Sequence, residues 1–206
     1  MGKLVAAVNA LLVVSYPLAV YVGLTRVSAR SLGLLLAALL LPGVLYRARK
    51  ARREDWRVVL RLPLSIVALL ALTAVLDDAR FVLALPVLIN LALLVQFAGS
   101  LRGTPLVERF ARMQQPHLSA AQVAYCRRVT HVWCMFFVLN GGASALLALF
   151  GSLSAWALYN GLIAYVLMGG LGASEYAVRK FRFREYGPGL HDRLLARLWP
   201  PPGVSP

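Results

Sequence analysis

Long apolar runs and short polar breaks alternate along the chain. A helix of about 20 apolar residues spans a bilayer, so each long run is a candidate membrane crossing. Six such runs lie at Leu4–Leu24, Ser31–Tyr46, about Val58–Leu76, Phe81–Leu101, about Thr130–Phe150, and Trp156 to about Ala173. The pattern predicts an all-α fold, a polytopic membrane helix bundle of about six transmembrane helices.

The first run also has some features of a secretory signal peptide, because Val27-Ser28-Ala29 resembles a cleavage site. A signal peptide has an apolar core of about 7–15 residues, whereas this run is longer and follows a single Lys3. We therefore interpret it as a crossing.

Two more polar stretches predict short helices at the membrane surface. In segment 103–128, Thr104 is suited to an N-cap and Pro105 to the first helical position. The predicted helix places Leu106, Val107, Phe110 and Met113 on one face and Glu108 opposite, with Arg109 and Arg112 flanking. Ser119 and Gln122 then predict a capping box for a helix that continues into the fifth crossing.

A second interfacial helix is predicted after Pro188, followed by a disordered tip. Its apolar side carries Leu190, Leu194, Leu195 and Leu198, and its other side carries Asp192, Arg193 and Arg197. The domain prediction is therefore a six-helix transmembrane domain over 1–187, which includes the cytoplasmic amphipathic segment 103–128, and a C-terminal interfacial helix with its tip over 188–206.

Composition supports the membrane assignment. Hydrophobic residues make up 60% of the 206 residues and charged residues 15%, against about 45–50% and about 25% in soluble domains. This excludes a cytosolic nucleotide-binding enzyme and a disulfide-stapled secreted domain. It also leaves little chain outside the membrane for a globular catalytic domain.

The net charge of +14 predicts the orientation, because Lys and Arg are retained on the cytoplasmic side of membrane helices. With a cytoplasmic N-terminus, all of the 22 Lys and Arg residues except Arg26, Arg30 and Arg80 lie inside. Both termini are therefore predicted to be cytoplasmic, with the basic side against the anionic lipids of the inner leaflet. No nucleic-acid partner is expected, because no nucleic-acid-binding module is present. The aromatic residues Tyr46, Trp56, Trp133 and Trp156 are expected at the headgroup level.

Polar side chains inside the crossings are the first candidate site. Asn90 and Asn140 fall near the middle of their helices, and Tyr159 and Asn160 fall nearer the outer end of the sixth. Because an unpaired polar group in lipid is unfavourable, such residues mark either hydrogen bonds between helices or a spot that contacts a substrate headgroup or an ion.

A second candidate is a polar cluster at the inner rim, formed by Arg127, Arg128, His131 and Glu175. Within it, we expect Glu175 to pair with Arg128. Helix packing is predicted from small residues four apart, which allow helices to approach closely. They are Gly141 with Ala145 and Gly169 with Ala173, and they predict a tight antiparallel hairpin of the fifth and sixth crossings.

The sequence contains no recognised catalytic constellation. His117, Cys126, His131 and Cys134 follow no metal-ligand spacing, and Asp77-Asp78 is explained by capping in a tight outer turn. We therefore predict no catalytic, cofactor-binding or metal site, and we expect the protein not to be an enzyme.

Several short motifs follow one another in order from Asp77 onward. They are Asp77-Asp78-Ala79-Arg80-Phe81, Ile89-Asn90, Pro105-Leu106-Val107-Glu108-Arg109, Arg128, Trp133-Cys134-Met135-Phe136-Phe137, Gly141 and Trp156. In this series the chain resembles the intracellular septation protein A family of bacterial inner-membrane proteins, as a divergent member with Thr130 in place of the usual Asn and Asn160 in place of the usual Lys.

This resemblance implies a non-enzymatic inner-membrane protein of cell-envelope biogenesis and septation, which acts as an interaction or scaffold protein on division or envelope-synthesis proteins. The alternative is a transporter or accessory factor for a lipid or a lipid-linked intermediate of the acyl-carrier, polyketide or pigment type. A scaffold should be packed solid, with Asn90 and Asn140 bonded to their neighbours, whereas a lipid handler needs a groove or cavity that reaches polar residues.

Overall fold

The computed structural model describes residues 16–50, 56–186, 192, 195, 196 and 198–200. Among these residues the regular structure is helical, without strands. We label the helices in chain order, each by its first and last residue. They are α1 (16–26), α2 (Ala29–Lys50), α3 (Trp56–Leu76), α4 (Arg80–Leu83), α5 (Leu85–Ser100), α6 (Leu106–Gln114), α7 (Ala120–Phe150), α8 (Leu153–Leu158) and α9 (Ala164–Phe183), with a π-helical turn at Tyr159–Ile163 between α8 and α9.

Three helical stretches of the described chain are long and apolar enough to cross a membrane. They are Arg80–Ser100, Ala120–Phe150 and Leu153–Phe183, and they correspond to the fourth, fifth and sixth predicted runs. The described apolar parts of α2 and α3, Ala29–Pro42 and Leu64–Leu76, are shorter, and most of the first run lies outside the described residues. The all-helical class is thus confirmed and three helices suited to crossing a membrane are present, whereas the number six is not confirmed.

Helices α2 and α3 form one antiparallel pair. A Cβ added to Gly33 would lie 2.8 Å from the Leu70 carbonyl oxygen, so the two backbones approach where only glycine fits. At the end of the pair, the Asp77 carboxylate accepts a hydrogen bond from the Arg30 amide at 2.6 Å, while Arg30 Nε donates to Ala74 O at 3.1 Å. Each helix therefore caps the other. Asp78 likewise accepts from the Arg80 amide, which confirms the capping role predicted for Asp77-Asp78.

Helices α5 and α7 form a second antiparallel pair. Phe97 of α5 packs between two aromatic residues of α7, with ring centroids 5.1 Å from Phe137 and 6.2 Å from Trp133. By contrast, α7 and α9 meet at only a few residues. The fifth and sixth predicted crossings therefore do not pack as tightly as predicted, because α7 packs more extensively against α5.

The buried hydrophobic core lies towards the end of the bundle where Asp77 is found, which we call the Asp77 end. Its buried residues come from six helices, one from each, and are Val20, Leu32, Leu70, Val82, Leu85 and Trp156. Trp156 is 0% exposed, so its ring packs inside the bundle and does not face the headgroups. Its indole is held inside the bundle by the hydrogen bond described below.

The opposite end, which we call the α6 end, consists of α6 with the turn before it (101–105), the first turns of α7, the last turns of α9 and the described residues from 184 onward. The capping box of α7 is present as predicted: Gln122 N donates to Ser119 Oγ, and Ser119 N donates to Gln122 Oε1 at 2.7 Å. The predicted Thr104 cap of α6 is not formed. Pro105 occupies the N-cap position, and the Leu106 amide donates instead to Ser100 Oγ at 3.0 Å.

Candidate functional site

Asn90 and Asn140, predicted from the sequence as candidate polar contacts, face each other in the interior. Asn140 Nδ2 donates to Asn90 Oδ1 at 3.0 Å, and Asn90 Nδ2 donates to the carbonyl of Pro86 one turn earlier at 2.8 Å. Gly141 stands beside this contact, and a Cβ there would lie 3.0 Å from Asn90 Cβ. The close approach of α5 and α7 at this point therefore depends on a glycine next to a buried amide.

The other two predicted residues, Tyr159 and Asn160, extend the same contact to the π-helical turn. The Tyr159 hydroxyl donates to Asn140 Oδ1 at 3.0 Å. The Ser144 hydroxyl lies 2.8 Å from Asn160 Oδ1 and 2.9 Å from the Asn140 carbonyl oxygen, while Asn160 Nδ2 donates to Trp156 O at 3.0 Å. We call these five polar side chains, Asn90, Asn140, Ser144, Tyr159 and Asn160, the amide network.

A proline explains the polar contacts beside the network. Pro86 has no backbone N–H, so the carbonyl of Val82 lacks its usual helical donor. The Tyr16 hydroxyl donates to Val82 O at 2.7 Å, and Trp156 Nε1 donates to the next carbonyl, Leu83 O, at 3.1 Å. Two aromatic side chains from α1 and α8 thus stabilise the break between α4 and α5.

The chemistry of the amide network is that of a closed hydrogen-bonded unit. Each of the three asparagines uses both its oxygen and its nitrogen within the protein, and each is at most 7% exposed. Buried amides and hydroxyls that are already bonded in this way hold helices together and do not transfer protons at neutral pH. The network therefore matches the interhelical alternative better than a site for an ion or a headgroup.

A second polar region lies at the α6 end, where α9 returns to α7. Gln122 Nε2 donates to Glu185 Oε2 at 2.7 Å, and the Tyr125 hydroxyl donates to Glu175 O at 3.2 Å. The Glu175 carboxylate pairs with Arg179 of its own helix at 3.2 Å. A small cavity of about 60 Å³ lies among these side chains and is lined on the α6 side by Ala111, Gln115 and Leu118.

The described residues beyond α9 lie against the same end. Asp192 is 5% exposed, forms an ion pair with Lys180 at 3.1 Å and accepts a hydrogen bond from the Tyr176 hydroxyl. Trp199 packs edge-on against Phe181, with centroids 5.4 Å apart. In the predicted C-terminal helix Asp192 was placed on the solvent side, whereas here it faces α9. The rest of that prediction falls mainly outside the described residues.

The predicted inner-rim cluster of Arg127, Arg128, His131 and Glu175 is not assembled as one unit. Arg127 donates from its two terminal nitrogens to Leu101 O and Gly103 O at 2.9 and 3.3 Å, while Arg128 and His131 are exposed. Since Glu175 pairs with Arg179, the predicted pair with Arg128 is wrong. An (i, i+4) partner on the same helix is available without any tertiary contact.

The small-residue prediction holds for one pair of helices only. Gly141 is buried against α5, and Ala145 is half-buried one turn later. A Cβ on Gly169 would meet nothing within 4 Å, and Ala173 is exposed. The Gly169 and Ala173 spacing therefore makes no close helix contact in the described chain.

Several residues with structural roles carried little signal in the sequence. Ser144 belongs to the amide network, and its only clue is its spacing of four from Asn140. Tyr16 and Gln122 make contacts across 66 and 63 positions of the chain, which no local pattern indicates. Pro86 was the available clue to the contact made by Tyr16, because a proline within an apolar helix leaves a carbonyl to be paired.

Comparisons of the chain with protein-family models, curated proteins and solved structures find no match.

Proposed function

We propose that this chain is a non-enzymatic, multi-pass protein of the bacterial inner membrane, and that it takes part in cell-envelope biogenesis or septation by binding other membrane components at its α6 end. The observation that carries the proposal is the amide network, whose side chains bond to one another. Since the three asparagines in the described interior all have bonded amides, we assign its polar residues to holding the bundle together.

The distribution of charge supports the choice of the α6 end as the contact surface. Nine described Lys and Arg residues lie there, and three lie towards the Asp77 end. The first group is Arg102, Arg109, Arg112, Arg127, Arg128, Arg179, Lys180, Arg182 and Arg184, and the second is Arg26, Arg30 and Arg80. Because basic residues are retained inside, the proposal places the α6 end in the cytoplasm, where partners that build the wall or the septum are accessible.

Copurification tests this proposal. The full chain is extracted gently from bacterial membranes, and bound proteins and lipids are identified by mass spectrometry. We expect division or envelope-synthesis proteins, and we expect the double variant Arg128→Gln/Arg182→Gln to retain fewer of them, because both side chains are exposed at the α6 end. The matched control is Arg26→Gln/Arg80→Gln, with the same charge change towards the opposite end.

The outcome also separates the two functional classes. A single reproducible lipid-linked intermediate with no protein partner would contradict the scaffold proposal and favour lipid handling. Equal partner recovery from both double variants would contradict the assignment to the α6 end.

A further inference from the structure

Helix α6 has two unlike faces. Glu108 and Ala111 are each 5% exposed, and Ala111 lines the cavity shared with α7. On the other side, Phe110 is 55% exposed and Met113 is 81% exposed. A helix that presents large apolar side chains and arginines away from its protein has the character of an interfacial helix, whose apolar side enters the headgroup region.

The length of α7 places α6 at the depth of the headgroups. At about 1.5 Å per residue, the 31 residues of α7 extend roughly 46 Å, whereas the hydrocarbon core is about 30 Å thick. With Phe150 at the far boundary, about 20 residues cross the core, and the near boundary falls next to Arg128. Cys126 of α7 and Ala111 of α6 line the same cavity, so α6 packs just outside the hydrocarbon.

The charge of this region selects among lipids. Residues 100–130 contain five arginines and a single acidic residue, Glu108, and Glu108 is already paired with Arg112 at 2.7 Å. Arg109 uses its Nε to bond Thr104 O at 3.1 Å, which orients the guanidinium while its terminal N–H groups remain as donors. Arg102 and Arg128 are exposed on the flanking elements. A net positive surface favours a headgroup with net negative charge over a zwitterionic one.

We propose that the outward face of α6, formed by Arg109, Phe110, Arg112 and Met113 with Arg102 and Arg128 beside it, binds anionic phospholipid. Phe110 and Met113 lie among the lipid chains just below the headgroups, and Arg102, Arg109 and Arg128 hold the phosphates, whereas Arg112 is already paired with Glu108. This proposal rests on the membrane placement given under the proposed function and names the lipid class that the α6 end contacts.

Photocrosslinking tests it. The full-length variant Met113→benzoylphenylalanine is placed in nanodiscs of phosphatidylcholine with one-fifth phosphatidylglycerol, irradiated, and its adducts are weighed by mass spectrometry. We expect phosphatidylglycerol adducts several-fold above their share of the lipid. The same substitution at Phe150, which is 82% exposed at the other end of α7, should yield adducts in the bulk lipid ratio.

Charge variants supply the second readout. Adding Arg102→Gln and Arg128→Gln should bring the adducts at position 113 down to within about twofold of the bulk lipid ratio, because each basic residue near an anionic surface contributes about fivefold. Arg26→Gln with Arg80→Gln should leave the enrichment at position 113 unchanged within about twofold.

Adducts in the bulk ratio at position 113, or adducts with protein in place of lipid when the experiment is repeated in cells, would overturn the lipid site. Nanodiscs expose the same lipid on both sides and hold no partner. An inverted topology or a failed copurification would therefore overturn the proposed function without changing this result.

Discussion

Asn140 takes part in three hydrogen bonds, which explains how an amide is stabilised within an apolar bundle. Its Nδ2 donates to Asn90, its Oδ1 accepts from Tyr159, and its carbonyl oxygen lies 2.9 Å from the Ser144 hydroxyl. In hydrocarbon a polar group without a partner is several kcal/mol unfavourable. These contacts therefore fix which faces of α5, α7 and the π-helical turn meet.

Replacing this residue gives the first prediction. Asn140→Leu leaves Asn90 Oδ1 and the Tyr159 hydroxyl without their partner, so we expect a loss of about 1–3 kcal/mol in the free energy of unfolding. A double-mutant cycle with Asn90→Leu should give a coupling of about 0.6–1.7 kcal/mol, the range found for hydrogen bonds between membrane helices. The measurement is reversible unfolding in mixed micelles.

The control is Ser174→Ala, because the Ser174 hydroxyl is exposed and bonds only to its own helix at Gly170 O and Leu171 O. It should change stability by less than about 0.5 kcal/mol. A coupling of zero between positions 90 and 140 would contradict the bond between them.

The asparagines could be predicted from the sequence because an amide in an apolar run stands out against its neighbours. Their partners could not. Ser144 can satisfy its hydroxyl on the carbonyl four residues earlier, so its presence in a helix signals nothing about a tertiary contact. The bonds from Tyr16 to Val82 and from Gln122 to Glu185 depend on how distant helices are arranged, which local periodicity does not encode.

At the scale of the helices, two helices pair closely where one of them has a small side chain facing the other. The spacing of small residues is similar in α7 and α9, yet of Gly141 and Gly169 only Gly141 lies close to another helix, where an added Cβ would be 3.0 Å from Asn90 Cβ. Helix positions were well predicted because the bilayer requires backbone groups to bond within their own segment. The pairing of α7 with α5 was not predicted, because the helices before and after α7 in the chain are apolar and similar in composition.

Two adjacent glycines provide the second prediction. Gly141→Ala puts a Cβ 3.0 Å from Asn90 Cβ, close to the backbone of α5, so the helices must separate and stability should fall by about 1–3 kcal/mol. Gly142→Ala meets nothing within 4 Å and should be neutral or stabilising by up to about 1 kcal/mol, because alanine favours a helix. Thermal unfolding in detergent compares the two, and equal effects would contradict the close approach.

The segment beyond α9 provides the third prediction. Asp192→Asn removes the ion pair with Lys180, so the backbone near Trp199, whose amide donates to Leu195 O at 2.8 Å, should open more often. A hydrogen bond between charged groups contributes about 1.5–3 kcal/mol, which corresponds to hydrogen exchange about tenfold faster or more. Glu185→Gln, which alters the neighbouring contact with Gln122, serves as the control and should leave exchange at Trp199 unchanged.

At the scale of the molecule, the dominant feature is the unequal distribution of charge between the two ends of the bundle. Lys and Arg residues crowd the α6 end, and the three towards the Asp77 end include Arg30, which is engaged in capping. The sequence showed this asymmetry because the basic residues are concentrated in every second polar break, and successive breaks lie at opposite ends of the bundle. The number of crossings was harder to predict, since a run of marginal length can be a span or a buried helix.

Topology provides the fourth prediction. In a chain whose native cysteines are replaced, we expect Arg80→Cys to react with a membrane-impermeant maleimide in intact cells, and Arg128→Cys to react only after the inner membrane is permeabilised. A reporter fused after Pro206 should be active in the cytoplasm. The reverse labelling pattern would invert the orientation and, with it, the cytoplasmic placement of the α6 end.

Helix α7 runs without a proline from Ala120 to Phe150, and it carries Gln122 and Tyr125 near one tip and Asn140 and Ser144 towards the other. A continuous helix is stiff over this length, so its two ends move together. A displacement of its tip at the α6 end therefore tilts the segment that carries Asn140, some 25 Å away at about 1.5 Å per residue. The position of α7 at the α6 end and the packing of Asn140 deep in the bundle are therefore linked through one rigid helix.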